Sequence, residues 1–113
     1  MAKVIVTKRL QEEINKTFKG ESVEIFELIY DLKEKPYKGS VVGQVSGMVI
    51  KEIRYKGYRF YFITDGFKIK MLQREELTDL VINFVRMSDK KDQQKVINEI
   101  KHILRTIGEE GFK

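Results

Sequence analysis

Apolar and polar side chains alternate along residues 48–73 (MVIKEIRYKGYRFYFITDGFKIKMLQ), and two glycine dipeptides, Lys56-Gly57 and Asp65-Gly66, interrupt the alternation. Period-two alternation marks a strand with one buried face, and such dipeptides close two-residue hairpins. Closing the first turn predicts Tyr55 opposite Tyr58, Arg54 opposite Arg59, Ile53 opposite Phe60 and Glu52 opposite Tyr61. Closing the second predicts Thr64 opposite Phe67, Ile63 opposite Lys68, Phe62 opposite Ile69 and Tyr61 opposite Lys70. Successive side chains of a strand point to opposite faces. Ile53, Phe60, Phe62, Phe67, Ile69 and Met71 are thereby expected on a core face, and Glu52, Arg54, Arg59, Tyr61, Lys68 and Lys70 on the other.

The flanking segments carry other periods. Lys3 to Thr7 reads as a β-branched strand, and Gln11 to Phe18 as a short helix ending near Lys19-Gly20, where glycine suits a left-handed cap. Ser22 is expected to cap a second helix with the apolar stripe Ile25, Leu28, Ile29 and Leu32, stopped by Pro36. Residues 37–47, with Gly39, Gly43 and Gly47, read as a loop with an extended piece at Val41-Val42. The turn Arg74-Glu75-Glu76-Leu77 leads to a strand from Leu80 to Met87. Ser88 or Asp89 then caps a final helix with the stripe Val96, Ile100, Ile103, Leu104 and Ile107, and Gly108 ends it. Glu109 to Lys113 reads as a frayed tail. Together these predict one α+β domain over residues 1–113. A strand and helical hairpin (1–36) precede a mainly antiparallel sheet of four to five strands (48–87) and a C-terminal helix (89–107), with the helices on one face.

Composition narrows the chemistry. The 113 residues suffice for one core. The absence of cysteine excludes disulfides and thiolate metal sites and suits a reducing cytoplasm. No apolar run approaches membrane-spanning length, so no membrane association is expected. A net charge of +5 favours nucleic acid or an acidic protein as partner, although many small domains are basic without either. Abundant Lys, Glu and Ile also suit a heat-adapted, archaeal or thermophilic source.

Arg54 opposite Arg59 sets two like charges against each other, which an anion seated between them would relieve. Guanidinium forks suit a phosphate. Tyr61, Glu52 or a lysine of depressed pKa could move protons, and Tyr55 and Tyr58 could stack on a base. Equally, Glu52 could bridge the arginines in a solvated ion-pair cluster, with the lysines lying on an ordinary wet face. His102, the single histidine, lies beside the last helix's apolar stripe and suits a surface or partly packed role. One histidine, no cysteine and no metal-loop spacing predict no metal. The glycines at 39, 43 and 47 lack the Lys-Ser/Thr of a P-loop, and no cofactor is indicated.

From Leu32 through Ile63 the chain resembles the RelE/ParE superfamily of toxins from toxin–antitoxin pairs. The similarity lies in Leu32, Pro36, Gly39 and Gly47, then Glu52-Ile53-Arg54, the Lys56-Gly57 turn and Tyr58-Arg59-Phe60-Tyr61-Phe62. Phe84-Val85-Arg86 followed by Lys90 and Lys91 is similar to the basic segment of the HigB-like branch. One departure is an additional expected strand, Phe67 to Gln73, between the hairpin and that segment. The resemblance implies a RelE-like fold and a metal-independent, ribosome-dependent messenger RNA endoribonuclease in the cytoplasm. For that chemistry the strand face offers Glu52, Arg54, Arg59 and Tyr61 as catalytic residues and Tyr58, Lys68 and Lys70 as nucleic-acid contacts, to which the resemblance adds Arg86 as catalytic and Lys90 and Lys91 as contacts. The implied partners are an acidic antitoxin, the ribosome and messenger RNA, and a homodimer is left open. Two alternatives stand: a non-catalytic toxin of the same fold, of the gyrase-inhibitor type, and a small basic nucleic-acid-binding accessory protein.

Overall fold

The computed structural model describes residues 1–112. In chain order it holds β1 (Lys3–Val6), α1 (Lys8–Phe18), α2 (Ser22–Tyr30), β2 (Ser40–Val45), β3 (Met48–Tyr55), β4 (Tyr58–Asp65), α3 (Gly66–Met71), β5 (Val81–Asp89) and α4 (Gln93–Thr106). The strands form one sheet in the order β1-β5-β4-β3-β2. Its pairings are antiparallel except for β1 against β5, which is parallel. This is the α+β architecture expected, with its helical pair at the N-terminus and a helix at the C-terminus.

The first hairpin has the register that the Lys56-Gly57 turn predicts, with Arg54 opposite Arg59 and Glu52 opposite Tyr61. Lys56 (φ 46°) and Gly57 (φ 83°) both take positive φ, as the twist-matched two-residue turn requires. Ser46-Gly47 closes β2 onto β3 in the same way, with φ of 50° and 83°. Residues 40–45 are therefore an edge strand rather than loop.

The expected second hairpin is absent. Asp65 caps a helix instead, its carboxylate accepting the Lys68 N–H at 3.0 Å. Gly66 packs so tightly beneath the β2–β3 turn that an added Cβ would lie 2.8 Å from the Gly47 carbonyl oxygen. An Asp-Gly pair can open a helix or close a hairpin, and the neighbouring turn selects the helix. Phe67 and Met71, expected in the core, are exposed on α3.

Helices cover both faces of the sheet, not one. Leu10 and Ile14 of α1 and Ile25 and Ile29 of α2 pack with Val4, Val6, Ile53, Phe60, Phe62, Ile82 and Phe84 on one face. On the other, Ile97, Ile100 and Leu104 of α4 pack with Ile50, Tyr61, Ile63 and Val85. Local ends also differ from expectation. The Thr7 hydroxyl accepts the Leu10 N–H, so α1 starts before Gln11. Ser22 is the first residue of α2, with Glu21 at the cap position, and Lys19 rather than Gly20 takes the positive φ. Asp89 accepts the Asp92 N–H in the turn that starts α4. The tail is docked by Phe112, which is buried against α4's core.

Phe62→Ala, which empties space between Phe84 and the rest of the first core, should cost about 3–5 kcal/mol. Phe67→Ser should cost less than about 0.5 kcal/mol, since that ring is exposed. Urea unfolding measures both; comparable losses would restore the second hairpin.

Candidate functional site

Both central strands are covered above and below, so the polar residues at their turn end are buried along with the apolar ones. Glu52 is 3% exposed and Arg59 6%. They share α4's face of the sheet with Tyr61, while Arg54, on the same face near the turn, is exposed. Glu52 Oε2 stands 3.7 Å from Arg54 Nε and 3.6 Å from Arg59 Nε. Those distances allow Coulomb attraction but exceed the 2.7–2.9 Å of a charge-assisted hydrogen bond. Glu52 Oε2 and Arg59 Nε accordingly have no hydrogen-bond partner among the described residues. Arg59 is steadied instead through Nη1, which donates to the Gly57 carbonyl at 2.9 Å. One carboxylate is thus shared loosely by two opposed guanidiniums, one of them open to solvent.

Arg86 and Tyr61 extend the cluster inward. The β4–β5 register slips by one residue beside Tyr61 and Phe62, leaving Val85 as an extra residue. A bulge of this kind re-aims side chains, and both Val85 and Arg86 meet the α4 side. Arg86 Nε donates to Glu99 Oε1 at 2.6 Å and Nη1 to the Val85 carbonyl at 2.7 Å, with its guanidinium carbon 5.2 Å from the Phe112 ring centroid. Tyr61 is fully buried, and its hydroxyl pairs with Ser88 Oγ at 2.8 Å. Burial raises the Tyr61 pKa, the Ser88 hydrogen bond opposes that, and the neutral phenol prevails.

The remaining expected residues divide between the two ends of the sheet. Lys90 and Lys91 are exposed just past Asp89, which pairs with Tyr58, so they sit at the Arg59 end. Tyr58 packs edge-on against Phe18, with ring centroids 4.8 Å apart, and lines a cleft between α1 and α4. Tyr55 also meets Phe18, and its hydroxyl donates to Glu24 at 2.7 Å. Lys68 and Lys70 are on α3, at the far end of β4, roughly 20 Å along the strand from Arg59. They do not join the cluster. His102 is exposed on α4. Among the described residues, no group of three His, Asp or Glu side chains could hold a metal. No helix among them is long and apolar enough to cross a membrane.

Sequence reading passed over two residues. Glu99 holds Arg86 from α4, and nothing in a helix that follows the strand signals that contact. Lys51 was legible, because alternation sets it on the same face as Ile53. It is 5% exposed, its Nζ donates to the Tyr37 carbonyl at 3.1 Å, and it lies 5.8 Å from the Phe62 ring centroid. Burial pushes its pKa below the ordinary 10.5.

Comparison with known proteins finds no matching family model, curated protein or solved structure.

The depressed Lys51 pKa fixes the sign of a pH effect. Below its folded-state pKa the buried ammonium costs stability, and the cost fades as pH rises toward 10.5. Lys51→Met should therefore unfold at higher temperature than the parent at neutral pH, with the advantage shrinking toward that value. A difference that is constant or grows with pH would show that Lys51 is not penalised by burial.

Proposed function

We propose that the chain is a metal-independent RNA endonuclease of the RelE/HigB-like toxin type, acting on ribosome-bound messenger RNA and restrained by an acidic antitoxin. One observation carries the reading: Arg54 and Arg59 oppose each other around a carboxylate that neither bonds at hydrogen-bond length. A phosphate between them would offer each guanidinium a charged acceptor. The chemistry follows from that seat. A 2′-hydroxyl attacks the adjacent phosphorus, its proton passing to Glu52, while the arginines balance the charge growing on the phosphoryl oxygens. The bond to the 5′-oxygen breaks, leaving a cyclic phosphate and a 5′-hydroxyl. The leaving 5′-oxygen takes its proton from water, because the Tyr61 phenol is buried and paired with Ser88. The net charge of +5 and the exposed Lys90 and Lys91 at this end suit RNA, the ribosome and an acidic inhibitor. The helical state of residues 66–71 also supports the reading, since one strand rather than two then follows the hairpin.

A binding-only reading, as a gyrase-inhibitor-type toxin or a nucleic-acid-binding accessory protein, draws on a different observation. Tyr61 is sealed beneath α4, and Arg86 is already paired with Glu99.

Inducible expression followed by primer extension on messenger RNA separates the two. New breaks within translated regions are expected, and the Arg54→Ala/Arg59→Ala double variant should lower them by about a hundredfold or more. Growth arrest without breaks, or breaks undiminished in the double variant, would overturn the nuclease reading.

A further inference from the structure

Glu99 Oε1 lies between guanidiniums from two other elements. It receives Arg86 Nε at 2.6 Å from β5 and stands 4.0 Å from Arg9 Nη2 of α1. All three side chains line the cleft of about 340 Å³ between α1 and α4, with Thr17, Ser88 and Lys95 around them. Arg86 forms the closed floor, its side chain 9% exposed, whereas those of Arg9 and Glu99 are 66% and 41% exposed. Ser88 joins this cleft to the first cluster, pairing with Arg59 in the β4–β5 register and holding the Tyr61 hydroxyl.

We propose that Glu99 is an internal occupant of a second phosphate position, and that a phosphate of bound RNA replaces its carboxylate between Arg9 and Arg86. The proposal rests on the reading of Arg54 and Arg59 as the first phosphate seat. A carboxylate set between two guanidiniums occupies the place that a phosphate's oxygens would fill with greater charge. Glu99 can leave by rotating its half-exposed side chain, without displacement of α4's buried stripe. Glu13 faces the same groups: burial raises its pKa against the pull of Arg9 and Arg86, and Glu99 adds to the rise. Glu13 also lines the cleft, so the position beside Arg9 and Arg86 holds room for a single phosphate rather than a run of them. Asp89 and Asp92 also line the cleft and disfavour a longer run of phosphates there. Arg86 is then a phosphate ligand masked in the free protein, and Arg9 a contact outside the hairpin altogether.

The test is the affinity of the full chain for a short fluorescein-labelled single-stranded RNA, read by anisotropy at low salt. Glu99→Ala should bind about tenfold tighter, on the scale of one additional charge-assisted hydrogen bond. Glu99→Gln, which keeps the shape and a neutral acceptor, should move the same way by less. Glu27→Ala makes the same charge change on α2, across the sheet, and should alter affinity less than about twofold. In an Arg9→Ala background the gain from Glu99→Ala should shrink to the part that Arg86 alone supplies, a coupling that a purely structural role for Glu99 would not produce. The second position falls if neither Glu99 variant binds tighter than Glu27→Ala, or if the gain is undiminished without Arg9. Should Arg54→Ala/Arg59→Ala leave RNA affinity unchanged while the Arg9–Glu99 coupling persists, the first seat falls and the second stands.

Discussion

The structure depends on β4 being covered on both faces. Helices α1 and α2 close one side and α4 the other, so each side chain from Arg59 to Thr64 is buried. A strand of that kind cannot send its polar residues to water. Arg59, Glu52 opposite Tyr61, and Tyr61 itself must find partners within the protein or wait for one from outside. Burying charges costs several kcal/mol apiece unless they are well paired. The loose geometry around Glu52 shows that pairing here is incomplete.

The polar cluster also explains why the turn end of the sheet differs from the opposite end. At the far end, tight turns and helix α3 interlock through Gly47 and Gly66, and polar atoms there are bonded locally, as Asp65 is to Lys68. At the turn end, the bulge at Val85 delivers Arg86 to the side of Glu52, Arg59 and Tyr61, and Glu99 comes down from α4 to meet it. The result is two carboxylates facing arginines in two adjacent settings, one loosely held and one tightly. In the proposed function the loosely held pair is the open seat for an anion, and the tight one a guarded seat.

Much of this was legible in the sequence where a local rule had a single solution. Lys56-Gly57 between alternating runs determined the Arg54–Arg59 opposition, because positive φ at both turn positions leaves one register. Asp65-Gly66 had two solutions, and the decision came from the Ser46-Gly47 turn, far earlier in the chain and beyond the reach of any local signal. Ser46-Gly47 was itself a turn signal masked by the glycines and small apolar content of residues 37–47. The double-sided core was hidden because alternation assigns one face to polar residues, and here that face is half apolar and carries Glu52, Arg59 and Tyr61 into the interior. The docked tail and the Glu99 contact depend on tertiary proximity alone. Lys51 could have been found by following the alternation back from Ile53.

Whether Arg54 and Arg59 form a seat for a phosphate or a self-contained ion-pair cluster decides the proposed function. The most direct measurement is an NMR titration of the arginine Nε–Hε resonances with inorganic phosphate, using chloride at matched ionic strength as the control. A phosphate seat predicts saturable shifts of the Arg54 and Arg59 resonances with phosphate and none with chloride. Resonances that do not move, or that move equally with both salts, would contradict it and leave Glu52 as the permanent partner of both arginines.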